Sequence, residues 1–401
     1  ITPTPTPQPG APQSEHPFLE LPKMALGSRR TNRGESPYRG LPDHQFWKRA
    51  VAMPAMSEVD PVVEARFRLT RTDRIATAGS CFAQHIARTI VSSDFNYFVS
   101  EKAPAGTSPD LAEARQFGLF SARFGNIYTT RQLVQLFERA YGRFRPKDDH
   151  WMGLDGGLID PFRPTIEPSG FSSVEALHLD RETHFAAVRD MFENLDVFVF
   201  ALGLTECWRA KSDGAVFPLA PGVAGGRMDA AAYEFHNLTF SEVSADLAEF
   251  WKGLREINPS ARMILTVSPV PLIATYEQQS ALVSTTYSKA VLRSAVEHIT
   301  RTQPQVAHFP SYEVITGNHA GNACFEDDLR TVRAEGVAHV MSLFLRHYAG
   351  QDGPVSAKAP PQARETRAIP DDDKFLRLAS IVCDEARLDP DAPLPHRGTS
   401  G

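Results

Sequence analysis

The stretch DVFVFALGL, residues 196–204, is the most apolar segment of the sequence and indicates the class of fold. Valine and phenylalanine follow one another here without polar alternation, which is typical of a strand covered on both faces of a parallel sheet. The near-apolar run at 197–204 is eight residues long, far short of the ~20 that cross a bilayer, so it predicts no membrane span.

Segments on both sides of this strand alternate between helical and strand patterns. Apolar side chains three or four positions apart predict helices, and short apolar runs predict strands. The predicted order is strand 75–78, a helix from Phe82, helix 129–140, helix 173–194, strand 196–202, helix 242–257, strand 263–267, helix 284–302, strand 306–309 and helix 334–348. This alternation predicts an α/β fold, a three-layer α/β/α arrangement around a doubly wound parallel sheet.

Composition and charge narrow the classes of function. The 401 residues are 42% hydrophobic and 22% charged, the balance of a folded globular protein. A net charge of −6 argues against a dedicated nucleic-acid binder, which presents a strongly basic face. The four cysteines form no C-x-x-C pair and no cluster has metal-ligand spacing, so we expect no metal and no cofactor. The first 30 residues lack the apolar core of a signal peptide, which favours a cytoplasmic location.

Proline-rich stretches separate the two ends of the chain from the folded part. Seven prolines in residues 1–22 favour an extended, solvated conformation. The predicted organisation is a tail at 1–35, a domain at 36–348 with insertions at about 143–170 and 207–240, a linker at 349–370, a helix at 371–388 and a tail at 389–401.

Reactive side chains of open parallel sheets collect where the strands end. The first strand is followed by Gly79-Ser80-Cys81 and then by a helix. A hydroxyl at this turn lies beside unpaired backbone N–H groups and the positive end of a helix dipole, which stabilise a developing oxyanion. Ser80 is therefore a candidate nucleophile, and the alternative is that it only caps the helix. Cys81 is a second candidate, but only one of two adjacent side chains can face a substrate.

Two further loops carry candidate residues. Gly203-Leu204-Thr205-Glu206 follows the strand at 196–202, and Gly125-Asn126 lies just before a helix start. A glycine followed by a hydroxyl and a carboxylate at a strand end can supply an oxyanion donor and a substrate contact. The alternative for Thr205 is a helix cap.

Seven short motifs, in this order, resemble those of one family. They are GSCFA (79–83), FGNIYT (124–129), GLTE (203–206), FHN (235–237), TVSPVP (266–271), YSK (287–289) and PSYE (310–313). On these motifs the sequence is identified as a member of the GSCFA family, whose members look like relatives of the SGNH/GDSL ester hydrolases, over about residues 36–348. The resemblance implies a flavodoxin-like α/β/α fold of SGNH type.

The resemblance also implies roles for single residues. Ser80 falls at the nucleophilic serine of Gly-Asp-Ser, with Gly79 in place of the aspartate. Gly125-Asn126 falls near the second block, which gives a backbone oxyanion donor. Thr205 falls at the asparagine of Gly-x-Asn-Asp and Glu206 at its aspartate. The implied oxyanion donors are therefore the N–H groups of Ser80 and Gly125 together with Thr205.

The sequence departs from the family pattern at the general base. SGNH enzymes place Asp and His three residues apart before the last helix, whereas here the stretch 328–331 ends in Thr331. A serine hydroxyl is a poor nucleophile unless a neighbouring base accepts its proton. His236 and His319 are the candidate replacements. Glu206 is a third, since burial can raise the pKa of a carboxylate until it acts as a base.

Three functions are open on the sequence alone. The first is a serine hydrolase, an esterase or deacylase, that acts on an acyl ester of a small molecule or glycan through an acyl-enzyme on Ser80. The second is an O-acyltransferase that passes the acyl group to a sugar hydroxyl during polysaccharide modification. The third is a non-catalytic relative that binds a carbohydrate or a partner, motivated by Thr331 in place of histidine.

Overall fold

The computed structural model describes residues 36–350, 381 and 383–389. Its strands are β1 (Ile75–Gly79), β2 (Trp151–Met152), β3 (Leu158–Ile159), β4 (Val197–Leu202), β5 (Glu206–Ala210), β6 (Val216–Phe217), β7 (Tyr233–Asn237), β8 (Arg262–Val267) and β9 (Val306–His308). Its helices are α1 (Phe82–Ser92), α2 (Pro109–Ala114), α3 (Thr130–Ala140), α4 (Val174–Asn194), α5 (Phe240–Ile257), α6 (Ala281–Thr302), α7 (Ser311–Thr316) and α8 (Ala334–Ala349). Every helix in these parts of the chain is too short or too polar to cross a membrane.

Several segments predicted from the sequence lie wholly or partly outside the described residues. The tail at 1–35 lies outside the described residues, as do the linker at 349–370 beyond Gly350 and the tail at 389–401 beyond Asp389. Of the helix expected at 371–388, only its last part is described, and that part is a single 3-10 helix at Asp384–Leu388.

Four strands form a parallel sheet in the order β1-β4-β8-β9. β4, the most apolar segment of the sequence, lies inside this sheet. Its Phe200 is opposite Ala78 of β1 and Leu265 of β8. All of its residues are buried, because helices cover both faces of the sheet.

A parallel bridge continues the sheet beyond β1. The Ile75 N–H donates to the Asn96 carbonyl at 3.0 Å, and the Phe98 N–H donates to the Ile75 carbonyl at 2.8 Å, which pairs Ile75 with Tyr97. The segment at Tyr97 therefore pairs with one edge of β1, and β4 pairs with the other. If that segment is counted as the second strand, the order is 2-1-3-4-5, as in flavodoxin-like sheets. The order reverses at β1, so the crevice beyond the carboxyl end of β1 is where a ligand is expected.

Alternating side chains of the strands face two helical layers. Phe198 and Phe200 pack against α3, α4, α5 and α6, whereas Val197 and Val199 pack against α1, α7 and α8. Four of the long helices begin at a hydroxyl residue whose side chain accepts a backbone N–H of the first turn, at Thr129, Ser173, Thr239 and Ser280. These two layers around one parallel sheet confirm the predicted three-layer α/β fold.

The two segments that the sequence predicts to be insertions coincide with small antiparallel sheets. The β2-β3 hairpin lies within 143–170, and β5 lies between β6 and β7 within 206–237. Trp151 and Phe217 pack together in a separate small core. Since Glu206 begins β5, the loop after β4 enters a strand, so Thr205 does not cap a helix as one interpretation of the sequence expected.

Candidate active site

The turn between β1 and α1 is fixed to the sheet by its main chain. Gly79 has a φ of +135°, and a Cβ there would lie 2.3 Å from the Ala201 carbonyl oxygen, so only glycine fits. The Ser80 N–H donates to the same oxygen at 3.0 Å, and the Ile127 N–H donates to the Gly79 carbonyl at 2.8 Å. Ser80 is thereby held at the end of β1, beside the loop that carries Gly125 and Asn126.

The Ser80 side chain is buried without a partner. Its exposed fraction is 3%, and its Oγ makes no hydrogen bond to the residues that the structure describes. Cys81 occupies the N-cap position of α1, and no side chain caps this helix, so the interpretation of Ser80 as a helix cap is wrong. A buried hydroxyl without a protein partner is uncommon, which keeps Ser80 a candidate for the reactive group.

Gly203, which follows β4, brings two neighbouring loops close to Ser80. A Cβ on Gly203, at the end of β4, would lie 3.0 Å from the Ser80 Cβ and 3.2 Å from the Tyr128 carbonyl oxygen. That oxygen accepts the N–H groups of both Gly203 and Leu204. The loops after β1 and β4 and the loop before α3 thus meet, as the motif order predicted.

Two amide donors lie beside this turn, one without an acceptor among the described residues and one bonded to the C-terminal residues. Gly125 is buried at a φ of +70°, and its N–H donates to none of the described residues. The Asn126 side-chain amide donates to Asp384 at 2.9 Å. The Ser80 N–H is already bonded to Ala201. This corrects the expectation that the Ser80 N–H serves as a free oxyanion donor.

Thr205 and Glu206 are engaged in structural hydrogen bonds. The Thr205 hydroxyl donates to Asn237 Oδ1 at 2.7 Å, so its only proton is not available to an oxyanion in this structure. Glu206 accepts the hydroxyl of Thr275 at 2.6 Å and the Tyr276 N–H at 3.3 Å. Burial raises the pKa of Glu206, but neither carboxylate oxygen is bonded to Ser80.

Neither expected histidine contacts the Ser80 hydroxyl. His236 lies on β7, and its Nε2 is 2.7 Å from Glu242, a residue of the first turn of α5. His319 follows α7, and its Nε2 is buried without a hydrogen-bond partner among the described residues. Since Ser80 Oγ is itself unpartnered, the structure does not supply the histidine–serine pair that the sequence led us to expect.

Lys289 is a buried base that sequence reasoning did not assign. It lies on α6 with an exposed fraction of 1%, and its ammonium group donates to the Gly203 carbonyl at 2.7 Å. Burial lowers the pKa of Lys289 to about 8. Gly203 also packs against the Ser80 Cβ, so it lies between the side chains of Lys289 and Ser80. A signal was present in the sequence: Lys289 shares the helical spacing of the buried Leu292 and Val296.

The stretch 328–331, where the resemblance to SGNH enzymes led us to expect a base, makes structural hydrogen bonds. The Thr331 hydroxyl donates to Asp328 at 2.6 Å, which closes a local turn. Arg330 donates through Nε to the Pro271 carbonyl at 3.2 Å and through Nη2 to the Glu385 carboxylate. Thr331, the residue at the expected position of the base, therefore lies beside a guanidinium that holds the C-terminal residues.

Comparison with known proteins agrees with the motifs. The model of the GSCFA family matches residues 74–344, more than half of the sequence. The chain belongs to the GSCFA family. No curated protein matches it. Among solved structures, a carbohydrate esterase family 3 protein from Talaromyces cellulolyticus is similar over 55% of this chain and 89% of that chain, with 14% identity and a TM-score of 0.22. That likeness is too weak to add to the fold described above.

The C-terminal residues of this GSCFA protein pack on the candidate site. We call residues 383–389 the C-terminal strap. Asp384 accepts the Asn126 amide at 2.9 Å and the Thr165 hydroxyl at 3.0 Å, and the Glu385 N–H donates to the Tyr128 hydroxyl at 3.1 Å. Both carboxyl groups are buried, and burial raises the pKa of each.

The strap also brings potential metal ligands together. The Sγ atoms of Cys81 and Cys383 are 3.5 Å apart, and a Glu385 oxygen lies 3.6 Å from Cys383 Sγ. The three ligand atoms lie within 4.8 Å of one another, a group that sequence spacing did not reveal. The Glu385 carboxylate is paired with Arg330, so a guanidinium already supplies the positive charge that a cation would bring.

Proposed function

We propose that this GSCFA protein is a serine ester hydrolase, an esterase or deacylase that acts on an acyl ester of a small molecule or glycan. The observation that carries the proposal is the Ser80 hydroxyl, buried and unpartnered at the switch point of a parallel sheet. Ser80 attacks the acyl carbon, forms an acyl-enzyme with loss of the alcohol, and is released when water attacks that intermediate.

Lys289 is proposed as the base that accepts the Ser80 proton. A neutral amine is required, and burial, which lowers its pKa to about 8, makes that form accessible near neutral pH. Serine–lysine pairs perform this role in other acyl-transfer enzymes. The contact of Lys289 with the Gly203 carbonyl places the amine one residue from Ser80.

The oxyanion is proposed to be held by the Gly125 N–H and the Asn126 side-chain amide. Gly125 is a buried N–H donor without an acceptor among the described residues, and Asn126 donates to the Asp384 carboxylate, a group that resembles the acid product of ester hydrolysis. Donors of this kind lower the barrier of acyl transfer by ~3–4 kcal/mol each.

Covalent labelling tests this function. A fluorophosphonate probe, added under reducing conditions, should label the full-length protein and fail to label Ser80→Ala. Ser268→Ala is the matched control, because it removes another buried strand-end hydroxyl, one that already accepts the Val270 N–H. It should label at the wild-type rate.

Product analysis with an activated acyl ester then separates hydrolysis from transfer. We expect release of the free acid without a sugar acceptor. Release that requires a sugar acceptor would favour the O-acyltransferase, and labelling of Ser80→Ala equal to wild type would overturn the serine mechanism.

A further inference from the structure

The C-terminal strap contacts residues that neighbour Ser80 in the sequence and in the adjoining loop. Its Asp384 carboxylate accepts a hydrogen bond from the Asn126 side-chain amide, the donor proposed for the oxyanion. Its Cys383 lies against Cys81, the residue that follows Ser80. Ser80 is 3% exposed with the strap in this position. The strap therefore occupies a donor that the ester would need and contacts the residue next to the hydroxyl.

A pair of thiols lies at the point where the strap meets the Ser80 turn. Cys81 Sγ and Cys383 Sγ are 3.5 Å apart although 302 positions separate them in sequence. The other two cysteines, Cys207 and Cys324, are free and buried elsewhere. A disulfide has an S–S length of about 2.05 Å, so the two sulfurs need to approach by roughly 1.5 Å for a bond to form.

We propose that Cys81 and Cys383 form a disulfide bond that fastens the C-terminal strap over Ser80 and closes the site to ester substrates. A low-molecular-weight disulfide such as oxidised glutathione serves as the oxidant. Reduction of the bond by a thiol releases the strap and opens the site. The closure of the site rests on the proposed function of Ser80, whereas the bond itself does not.

The exchange proceeds in two balanced steps. The Cys383 thiolate attacks one sulfur of oxidised glutathione, which forms a mixed disulfide and releases one glutathione thiolate. The Cys81 thiolate then attacks the Cys383 sulfur of that mixed disulfide, which forms the protein disulfide and releases the second glutathione. In total, two protein thiols are oxidised and one glutathione disulfide is reduced to two thiols.

The surroundings of the two cysteines support this order of events. Cys383 is half-buried and Cys81 is buried. The hydrogen bond to Cys383 and burial raise the pKa of the Cys81 thiol well above its usual value. Cys383 is thus the more accessible thiol for the oxidant, and Cys81 is positioned to resolve the mixed disulfide.

A metal ion on the same atoms is the competing use of this pair. Cys81, Cys383 and Glu385 supply three potential ligands. Glu385, however, is paired with the Arg330 guanidinium, and the Nη2 of Arg330 is 3.9 Å from Cys383 Sγ. Positive charge is already present beside these atoms, which disfavours a further cation.

The test compares the full-length protein after treatment with oxidised glutathione and after treatment with dithiothreitol. Intact mass should show the loss of two hydrogen atoms on oxidation, and digestion should yield one linked peptide that contains Cys81 and Cys383. Fluorophosphonate labelling should be at least about tenfold slower in the oxidised protein, because the labelling rate follows the population of the open state. Cys383→Ser should label at one rate in both conditions, and Cys324→Ser should keep the difference.

Each outcome decides a separate point. A stable glutathione adduct on Cys383, or a bound zinc ion in native mass spectra that survives oxidation, would overturn the disulfide. A linked peptide with unchanged labelling would overturn the closure of the site. A linked peptide with no labelling in either condition would leave the disulfide standing and count against the proposed serine mechanism instead.

Discussion

The two segments that meet at Ser80 are held in different ways. The β1–α1 turn is fixed by main-chain hydrogen bonds, from Ser80 to Ala201 and from Ile127 to Gly79. Every described hydrogen bond between the C-terminal strap and the rest of the protein uses at least one side chain. The turn therefore moves only if the sheet is disturbed, whereas the strap can detach while the sheet stays intact. This contrast fits the proposal that Ser80 is a fixed nucleophile and that the strap can be released from it.

The largest expected effect concerns the fixed side of this comparison. Lys289→Met removes the proposed base and should lower the rate of ester hydrolysis by about 100- to 10,000-fold, the usual contribution of general base catalysis. Methionine is close in volume to lysine, and replacing a buried charged group by an apolar one is often tolerated by the fold. Steady-state kinetics with an activated ester, alongside circular dichroism to check folding, measures the effect.

The pH profile separates a base from a structural role for Lys289. The amine accepts a proton only when neutral, so kcat/KM of the wild type should rise with pH and level off above its pKa of about 8. Lys289→Arg keeps the positive charge but stays protonated at every accessible pH. It should be as inactive as Lys289→Met. An arginine variant with wild-type activity would contradict the assignment.

Gly79→Ala should break the turn itself. The new Cβ would lie 2.3 Å from the Ala201 carbonyl oxygen at a φ of +135°, so β1 and β4 must shift apart. We expect a loss of roughly 3 kcal/mol or more in the free energy of unfolding, measured by urea denaturation, together with loss of Ser80 labelling. Gly142→Ala is the matched control, since φ is +69° there but no atom lies within 4 Å of a Cβ. It should lose only ~1–2 kcal/mol.

The same contrast explains how much of the fold and of the candidate site can be predicted from the sequence. A strand buried on both faces must be apolar throughout, so β4 was evident from 196–204, and the amphipathic helices around it gave the three layers. The position of Ser80 at the end of β1 can be predicted because an apolar strand and Gly79 directly precede it in the sequence. These features depend on local patterns, which can be recognised directly in the sequence.

The strap depends on contacts that local patterns do not encode. Cys81 and Cys383 are 302 positions apart, and nothing in the periodicity of either segment marks them as neighbours. Nothing in the local sequence predicts that Arg330 pairs with Glu385. His236 was favoured for its motif, but it is paired with Glu242 instead. Side-chain geometry decides such pairings, and only a structure supplies it.

Arg330→Met should release the strap while leaving the sheet in place. Glu385 would then be a buried carboxylate without its ion-pair partner, which destabilises the docked strap by roughly 3–5 kcal/mol. Hydrogen exchange at 383–389 should become fast while exchange in β4 stays slow, and Ser80 should label faster under reducing conditions. Arg333→Met is the matched control, because its ion pairs with Glu326 and Asp327 are largely exposed. Slow exchange at 383–389 in Arg330→Met would show that the strap does not depend on this pair.

The smallest effect concerns the pH dependence of strap docking. Burial raises the pKa of Asp384 above its ordinary value, so the docked strap binds a proton more readily than the detached one. Docking is therefore strongest below the ordinary pKa of an aspartate and weakens as pH rises through the raised pKa. Asp384→Asn should reduce this slope while it costs ~1 kcal/mol for the hydrogen bond from Asn126 that it perturbs. Exchange rates at 383–389, corrected for intrinsic exchange across a pH series, measure both effects. An unchanged slope would place the titration on Glu385, whose pKa burial also raises.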